Sequence, residues 1–492
     1  MRQATRKALL TTASAAALAA TLTAPAHAAT KAPPLAWQPC AEKDGRECAT
    51  LQVPLDYDRP DGPAADIAVS RLRSDHPEAR RGTLLLIPGG PGGSGRRRLA
   101  ETGRRLREET RGAYDIVSLD PRGTGGSTRA DCGIAEDDRQ LVNLHPWPGP
   151  GGDISATAAR ARRIADACAR NGGAFVRGLS TANEVRDIDR FRQALGEEKL
   201  SAWGVSYGTY VGAVYAQKYP QHTDRWVLDS NDDPDPSRVA RGWLANMSAG
   251  VDDRFPDFAA WAADPARGAD RLAEKAADVR PMFLALADRL DRAPRRFADT
   301  KHALTGNLLR QVMQLSLESD ARFRGLAGLI RAARTGDGPL GVPDPMPGPL
   351  SQADAAVAVG VICNDVGDWP RSVAAYARSV ASDRARHPLT AGMPAGITPC
   401  SFWKTAPTEK PTRVTSDGPS NVLLVQNLRD PASPYAGALK LRAAFGGRAR
   451  MLTVDGGGHE VYLGGGNACG DAAVTSFLVR GDRAGDVFCP AG

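Results

Sequence analysis

The feature that most constrains this chain is the pentapeptide GVSYG at residues 204–208. Residues 200–205 form an apolar run typical of a strand buried on both faces, and residues 210–219 have helical spacing. A serine in a sharp strand-to-helix turn is held exposed, and its flanking glycines relieve crowding there. In a chain with 52 glycines the pentapeptide alone arises easily by chance, but with its flanking strand and helix it predicts that Ser206 is a nucleophile.

Other apolar runs extend the same pattern of buried strands. Strands are expected at residues 83–87, 114–119, 225–228, 422–426 and 451–454, with helices at 99–110 and 185–195. Alternation of strand and helix predicts a parallel sheet. Residues 49–72 alternate in the manner of strands before this series begins. Together with the serine turn, the pattern predicts an α/β-hydrolase fold with a mostly parallel sheet.

Between residues 232 and 400 this alternation gives way to helical spacing alone. Helices are expected at residues 271–290, 308–317, 323–334, 353–364 and 371–382, with a Gly- and Pro-rich linker at 336–349. We interpret the segment as a helical lid inserted into the sheet domain. The expected organisation is a signal peptide at 1–28, the first part of the α/β-hydrolase core at 29–231, the lid insertion at 232–400 and the C-terminal part of the core at 401–492.

A glycine-rich loop, PGGPGGSG at residues 88–95, follows the first of these buried strands. In an α/β-hydrolase the loop at this place supplies half of the oxyanion hole. Only glycines let the backbone approach the tetrahedral oxygen closely enough. We assign one oxyanion-hole donor to the N–H of Gly90 and the other to the N–H of Tyr207.

The same loop also matches G-x-G-x-x-G, the pattern of a dinucleotide-binding turn, with Asp120 as the acceptor for a ribose hydroxyl. Pro91 would stiffen a turn whose amides should face phosphate, and this alternative leaves Ser206 unexplained. The metalloprotease pattern H-E-x-x-H and the P-loop pattern are absent from the sequence. We therefore expect neither a cofactor nor a metal.

The partners of a serine nucleophile should follow it in the order Asp, then His, each at the end of a late strand. Asp430 comes after the strand expected at 422–426, and His459 after the strand expected at 451–454. Asp455 also follows a late strand, but its own loop would have to fold back to reach the histidine. In the expected mechanism Asp430 orients His459, His459 takes the proton of Ser206 as it attacks a carbonyl, and water later cleaves the acyl-enzyme.

The first residues are typical of a secretory signal peptide. Arg2, Arg6 and Lys7 precede an Ala- and Leu-rich run at residues 8–22, and the motif PAHA ends at Ala28. Cleavage near Ala28 predicts an exported, extracellular protein. No later segment reaches the roughly 18 uninterrupted apolar residues of a membrane span, so no membrane association is expected.

The eight cysteines fit such a compartment, because an even number in an exported chain usually forms disulfides. Many pairings of eight thiols are possible. We expect bonds between sequence neighbours, which join Cys40 to Cys48, Cys132 to Cys168, Cys363 to Cys400 and Cys469 to Cys489.

Several short motifs together carry a resemblance to a known family. They are VPLDY at 53–57, GGPGGSG at 89–95, DPRGTG at 120–125, GVSYGTY at 204–210, and the closing segment around Cys400, Asp430 and residues 458–459. In this order, over nearly the whole mature chain, the sequence resembles the tripeptidyl aminopeptidases secreted by high-GC Gram-positive bacteria, which are related to the proline iminopeptidases. The resemblance implies release of short peptides, in particular tripeptides, from free N-termini beneath a helical lid. The sequence departs from the pattern at Pro88, where the iminopeptidases carry His, and at Ser230, where Gly is expected.

An exopeptidase must recognise the ammonium group of its substrate, which calls for a carboxylate near the nucleophile. The candidates are Asp232, Asp233 and Asp235 at the start of the lid and Asp365 within it. Each is explained at least as well as a capping or solvated loop residue.

The sequence thus predicts a secreted serine aminopeptidase, monomeric, that acts on peptides with a free N-terminus. The alternative is a carboxylesterase or lipase on the same scaffold, because the triad chemistry is shared and a fold does not fix a substrate. A third hypothesis is a non-catalytic, hydrolase-like binding protein. The net charge of +7 comes from scattered arginines, which indicate solvated helix faces and no nucleic-acid partner.

Overall fold

The computed structural model of this protein is built around one ten-stranded sheet. It describes residues 34–298, 302–335, 340–341 and 348–492. The strands among these residues are β1 (Gln38–Pro39), β2 (Glu47–Pro54), β3 (Ala64–Leu72), β4 (Gly82–Ile87), β5 (Tyr114–Leu119), β6 (Leu200–Ser206), β7 (Thr223–Asn231), β8 (Arg295–Arg296), β9 (Ala303–Leu304), β10 (Val422–Arg429), β11 (Ala449–Gly457) and β12 (Val487–Cys489). The sheet order is β1-β2-β3-β5-β4-β6-β7-β10-β11-β12, and β8 pairs separately with β9.

Helices connect these strands and fill the segment between β7 and β10. The α-helices among the described residues are α1 (Gly95–Glu109), α2 (Leu141–Leu144), α3 (Ser155–Asn171), α4 (Gly173–Arg177), α5 (Thr181–Leu195), α6 (Tyr207–Lys218), α7 (Arg241–Ala263), α8 (Ala276–Arg292), α9 (Gly306–Ser316), α10 (Phe323–Arg334), α11 (Gln352–Asp365), α12 (Val373–Arg386), α13 (Tyr435–Phe445) and α14 (Ala468–Arg480). Several begin directly after a Ser, Thr or Asn whose side chain accepts a backbone N–H of the first turn, as at Ser94 before α1 and Ser180 before α5.

The sheet is antiparallel only at one edge, where β1 pairs with β2, β2 with β3, and β3 with β5. All other neighbours in the sheet are parallel. Because parallel strands end at the same edge, the loops that follow β4, β6, β7, β10 and β11 lie side by side there. This topology confirms the predicted α/β-hydrolase fold.

Each strand expected from an apolar run is present, with its predicted bounds or longer ones. The helix expected at 210–219 begins three residues earlier, at Tyr207, because the serine turn leads directly into it. Helices α2, α3, α4, α7, α13 and α14 had no counterpart in the prediction. In α7 the buried Arg254 interrupts the apolar spacing on which such predictions depend.

Both faces of the central strands are buried, which explains their continuous apolar runs. On one face Leu85 and Trp226 belong to a large hydrophobic core. On the other face Leu84, Trp203 and Val227 belong to a second core. Neighbouring residues of a strand thus alternate between two apolar environments.

The helical segment between β7 and β10 has a hydrophobic core of its own. Phe255 and Phe258 of α7 pack there with Phe283 of α8 and Ile330 of α10. Residues of α11 and α12 belong instead to one of the cores beside the sheet. The segment is therefore a helical insertion with two differently packed parts, whereas its role as a lid and its bounds of 232–400 stay predictions.

The four predicted disulfides are all present. They join Cys40 to Cys48, Cys132 to Cys168, Cys363 to Cys400 and Cys469 to Cys489. Within the described ranges, no helix has the length and apolar character needed to cross a bilayer. The predicted signal peptide at 1–28 and most of the linker at 336–349 lie outside the described residues.

Candidate active site

Ser206 lies in a sharp turn between β6 and α6. It is the last residue of β6 and has φ 58° and ψ −130°. A positive φ is unfavourable for a residue with a side chain, so the surrounding structure must hold it in place. A Cβ atom on Gly208 would lie 2.5 Å from the carbonyl oxygen of Ile87, and one on Gly204 would lie 2.5 Å from that of Gly208. Both glycines of the pentapeptide are therefore required by close backbone contacts.

The glycine-rich loop after β4 packs directly on Ser206. Strand β4 pairs with β6, and a Cβ atom on Gly89 would lie 2.9 Å from the Cβ atom of Ser206. Tyr207 is the first residue of α6, so its N–H has no acceptor within the helix, and the positive end of the helix dipole favours an anion there. This arrangement suits an oxyanion hole formed by the N–H groups of Gly90 and Tyr207, an assignment that stays a prediction.

Asp430 and His459 form a hydrogen-bonded pair at the ends of the neighbouring strands β10 and β11. The distances from His459 Nδ1 to Asp430 Oδ1 and Oδ2 are 3.1 and 3.0 Å. The carboxylate also accepts the N–H groups of Ala432 and Ser433, at 2.8 and 2.9 Å, and the Ser433 hydroxyl, at 3.0 Å. A carboxylate held this firmly keeps Nδ1–H of the imidazole directed toward it and leaves Nε2 available to accept a proton.

Asp430 and His459 shift each other's pKa in opposite directions. Burial disfavours the charged form of His459, but attraction to the Asp430 carboxylate and their hydrogen bond outweigh it, so the pKa of His459 lies above its usual value. Burial would raise the pKa of Asp430, but the histidine and the neighbouring backbone N–H groups lower it further than burial raises it. Asp430 therefore stays ionised, as the predicted role of stabilising an imidazolium requires.

The segment that carries His459 folds back across the end of β7. The N–H of Glu460 donates to Ser230 Oγ at 2.7 Å, and the N–H of Val461 donates to Asp229 Oδ1 at 3.0 Å. Strand β7 lies between β6 and β10 in the sheet. The histidine loop is thereby directed from the end of β11 toward the end of β6.

The structure thus brings Ser206, Asp430 and His459 to one edge of the sheet. The hydrogen bonds of the His459 ring to described residues are made through Nδ1, and none joins Nε2 to Ser206 Oγ. Catalytic hydrogen bonds of this kind often form only when substrate is bound. The roles predicted for the three side chains stay a prediction at this point.

The helical insertion also contacts the histidine loop. The N–H of His459 donates to the carbonyl oxygen of Glu318, which lies just after α9, at 2.9 Å. The buried guanidinium of Arg254 in α7 donates to the carbonyl oxygen of Leu317 at 3.0 Å and packs so closely on Gly457 that a Cβ atom there would lie 2.0 Å from it. The insertion therefore holds the histidine loop in addition to β7.

Two acidic residues weighed in the sequence analysis have other partners. Asp455, the alternative orienting acid, pairs with Arg429 at 2.7 Å. Asp120, the ribose acceptor of the dinucleotide alternative, accepts the Ser94 hydroxyl at 2.6 Å and the N–H of Arg96 at 3.0 Å. Asp120 thus anchors the start of α1, which accounts for its position after β5 without a nucleotide.

Three of the four candidate ammonium-binding aspartates already have hydrogen-bond donors. Lys440 Nζ donates to Asp233. Asp235 accepts the N–H and the hydroxyl of a serine two residues later, at 3.0 and 2.8 Å. Asp365 accepts the N–H of Thr181 at 2.9 Å and its hydroxyl at 2.5 Å. These contacts account for the three side chains as parts of the fold.

Asp232 differs from the other three. Its N–H donates to Thr209 Oγ1 at 3.0 Å, but its carboxylate accepts no hydrogen bond from any described residue, although the residue is only 7% exposed. Burial raises the pKa of Asp232 to about 7, and the charge on His459 partly opposes this shift. Asp232 is therefore a buried residue close to His459 whose carboxylate accepts no hydrogen bond within the described part of the chain.

Three contributors to the site were missed by the sequence analysis. Ser433 lies three residues after Asp430, a spacing at which aspartate often accepts a backbone N–H, so this signal was available. Ser230 was noted only as a departure from the family pattern. Glu318 contributes a backbone carbonyl from a distant helix end, and nothing in the sequence indicates that contact.

Comparisons with known proteins agree with this geometry. Residues 388–489 match the family model described as TAP-like protein. The chain is 33% identical over 476 residues to a tripeptidyl aminopeptidase of Streptomyces coelicolor, with 92% of this chain and 85% of that protein covered. It is 28% identical over 491 residues to the serine protease Hip1 of Mycobacterium tuberculosis, with 91% and 89% covered. It is also 31% identical over 479 residues to a carboxylesterase B of Mycobacterium tuberculosis, with 92% and 88% covered.

Proposed function

The chain belongs to the tripeptidyl aminopeptidase family of serine hydrolases, and on that premise we propose that it is a secreted exopeptidase that releases short peptides, in particular tripeptides, from free N-termini. The observation that carries the proposal is the hydrogen-bonded pair of Asp430 and His459, which lies at the same edge of the sheet as the turn of Ser206. The four disulfides support export, because such bonds persist in oxidising compartments.

In the proposed reaction the Ser206 hydroxyl attacks the carbonyl carbon of the scissile peptide. His459 Nε2 takes the hydroxyl proton and later gives it to the leaving amine, while Asp430 stabilises the imidazolium. The N–H groups of Gly90 and Tyr207 donate to the oxygen that becomes negative in the tetrahedral intermediate. Water then attacks the acyl-enzyme with the help of His459, which releases the short peptide and restores Ser206.

We favour Asp232 over Asp233 and Asp365 as the carboxylate that binds the ammonium group of the substrate N-terminus. A buried carboxylate without a donor is costly, and a substrate ammonium group would supply both the charge and the hydrogen bonds that it lacks. The ammonium would also favour the ionised form of Asp232, whose pKa burial raises to about 7. To bind the ammonium group, Asp233 would first have to lose its hydrogen bond from Lys440, and Asp365 its hydrogen bond from Thr181.

The test of this function compares two substrates that differ only at the N-terminus. A tripeptide 4-nitroanilide with a free amino group should be cleaved efficiently, because its ammonium can bind the enzyme. Its N-acetylated form should be cleaved at least about 100-fold less efficiently, since the charged group is lost. Equal values of kcat/KM for the two substrates would contradict exopeptidase activity.

A substitution at Asp232 should weaken this discrimination selectively. We expect Asp232→Asn to lower kcat/KM for the free-amino tripeptide roughly 10-fold to 100-fold, mainly through KM, because the amide cannot pair with the ammonium charge. Hydrolysis of the N-acetylated tripeptide should change little. The measurement is the ratio of kcat/KM for the two substrates.

Asp233→Asn is the matched control, since it makes the same change in the next residue. In the wild type the Asp233 carboxylate accepts a hydrogen bond from Lys440, so Asp233→Asn should retain the wild-type preference for the free amino group. A loss of preference in Asp233→Asn with none in Asp232→Asn would show that the assignment of Asp232 is wrong.

The carboxylesterase relative favours one alternative, an esterase on the same scaffold. An esterase would need neither a carboxylate for an ammonium group nor a free N-terminus. The decisive quantity is the ratio of kcat/KM for a short acyl 4-nitrophenyl ester to that for the free-amino tripeptide. A ratio well above one, corrected for the spontaneous reactivity of the ester, would favour the esterase.

A further inference from the structure

The backbone on either side of the His459 side chain is held by acceptors from outside its loop. Its own N–H donates to the carbonyl oxygen of Glu318 at 2.9 Å, and the N–H of Glu460 donates to Ser230 Oγ at 2.7 Å. The next two N–H groups donate to the buried carboxylate of Asp229, at 3.0 and 2.8 Å. The four consecutive N–H groups of residues 459–462 thus donate to three acceptors. Two of these acceptors are the side chains of Asp229 and Ser230, which are consecutive residues at the end of β7.

Ser230 occupies a backbone conformation that does not suit a serine. Its φ is 62°, in the left-handed region where glycine is the ordinary residue, and its side chain is fully buried. Its hydroxyl hydrogen is directed to Asp229 Oδ1 at 3.4 Å, which leaves the oxygen free to accept the N–H of Glu460. A glycine here would avoid the unfavourable φ but could not make this contact.

Glu460, the residue held by Ser230, is constrained at its side chain as well. It has φ 79°, and its carboxylate pairs with Arg98 of α1 at 2.6 Å. Since Glu460 directly follows His459, its backbone orientation sets the direction in which the imidazole leaves the loop. The N–H contact to Ser230 and the ion pair to Arg98 together fix that orientation.

We propose that Ser230 is a positioning residue for the catalytic histidine. The hydroxyl of Ser230 accepts the N–H of Glu460 and thereby sets how closely the imidazole of His459 can approach Ser206. This inference rests on the proposed function, because it takes His459 as the base that activates Ser206. The unfavourable φ of Ser230 is retained because the hydroxyl performs this task. The residue acts through the backbone and does not touch the substrate.

Two substitutions at this position separate positioning from simple stability. Ser230→Gly removes both the hydroxyl and the unfavourable φ, so the melting temperature should stay near that of the wild type. Ser230→Ala removes the hydroxyl but keeps a side chain at positive φ, so the melting temperature should fall. A purely structural role predicts that activity follows stability, whereas positioning predicts that both variants lose activity.

The measurement is the second-order rate of covalent labelling by a fluorophosphonate probe, which requires an activated Ser206 but no particular substrate. Both Ser230 variants should label roughly 10-fold to 100-fold more slowly than the wild type, because a small displacement of a catalytic group is costly. With the tripeptide substrate, kcat should fall and KM should stay within about 2-fold. Ala391→Gly is the matched control, since Ala391 is also buried at positive φ but packs in a different cluster, and it should label at the wild-type rate.

The outcomes distinguish this inference from the proposed function. Slow labelling of Ser230→Gly with an unchanged melting temperature supports positioning. Wild-type labelling of Ser230→Gly overturns it, even if Ser230→Ala is slow and unstable. If the wild type does not label, or if Ser206→Ala labels as fast as the wild type, the proposed function itself fails, whatever the Ser230 variants do.

Discussion

Ser206→Ala is expected to lower kcat for the tripeptide substrate by roughly 10⁶-fold and to abolish fluorophosphonate labelling. The change removes the only atom that forms the acyl-enzyme, while the oxyanion hole and the substrate contacts remain. The residual rate should therefore still exceed the uncatalysed one by roughly 10³-fold. Since alanine meets the same positive φ as serine at position 206, the melting temperature should change little.

Ser201→Ala is the control for this result. Ser201 lies on the same strand as Ser206 but near its opposite end, where its hydroxyl donates to Asp224 at 3.0 Å. That variant should keep both activity and labelling. A Ser206→Ala protein that still labels with the probe would place the nucleophile elsewhere and remove the basis of the proposed mechanism.

The sheet could be predicted because its physical requirements are local in sequence. Strands buried on both faces need continuous apolar runs, and those runs predicted β4, β5, β6, β7, β10 and β11. The serine turn needs small residues at fixed positions, which made the pentapeptide at 204–208 recognisable. The order of the partners along the chain then indicated Asp430 and His459, because strand ends of a parallel sheet meet at one edge.

The parts that sequence could not predict depend on contacts between distant segments. The carboxylate of Asp233 accepts a hydrogen bond from Lys440 of α13. The N–H of His459 donates to the carbonyl oxygen of Glu318, just after α9. No local sequence pattern connects either pair of residues. Helix α7 was missed because the buried Arg254 breaks the apolar spacing of a helix that packs against both its own core and the histidine loop. Each of these missed features involves a polar group whose burial becomes favourable only after the fold supplies its hydrogen-bond partner.

These contacts join the helical insertion to the proposed catalytic site. Arg254 and the carbonyl oxygen of Glu318 connect it directly to the loop of His459. A movement of α7 or α9 would therefore change the position of His459, the proposed general base.

The second large effect is expected for Asp430→Asn, which should lower kcat by roughly 10⁴-fold. The amide oxygen can still accept the N–H groups of Ala432 and Ser433, so the turn should keep its geometry. The amide nitrogen would then replace Oδ2, the oxygen nearer to His459 Nδ1, with a donor, which favours the tautomer that carries the imidazole proton on Nε2. An Nε2 that already carries a proton cannot take one from Ser206, and no negative charge remains to stabilise the imidazolium.

Asp455→Asn makes the same change near the end of β11, at the aspartate that the sequence analysis weighed as the alternative orienting acid. Asp455 pairs with Arg429 and has no contact with the imidazole among the described residues, so its variant should stay within about 3-fold of the wild-type kcat. The comparison also predicts a difference in pH dependence. Because the Asp430 carboxylate raises the pKa of His459, removing its charge should move the acidic limb of the residual activity to lower pH, whereas Asp455→Asn should leave that limb in place. If Asp455→Asn is the variant that loses activity, the orienting acid lies in the loop of the histidine itself, and the pairing seen across β10 and β11 is structural.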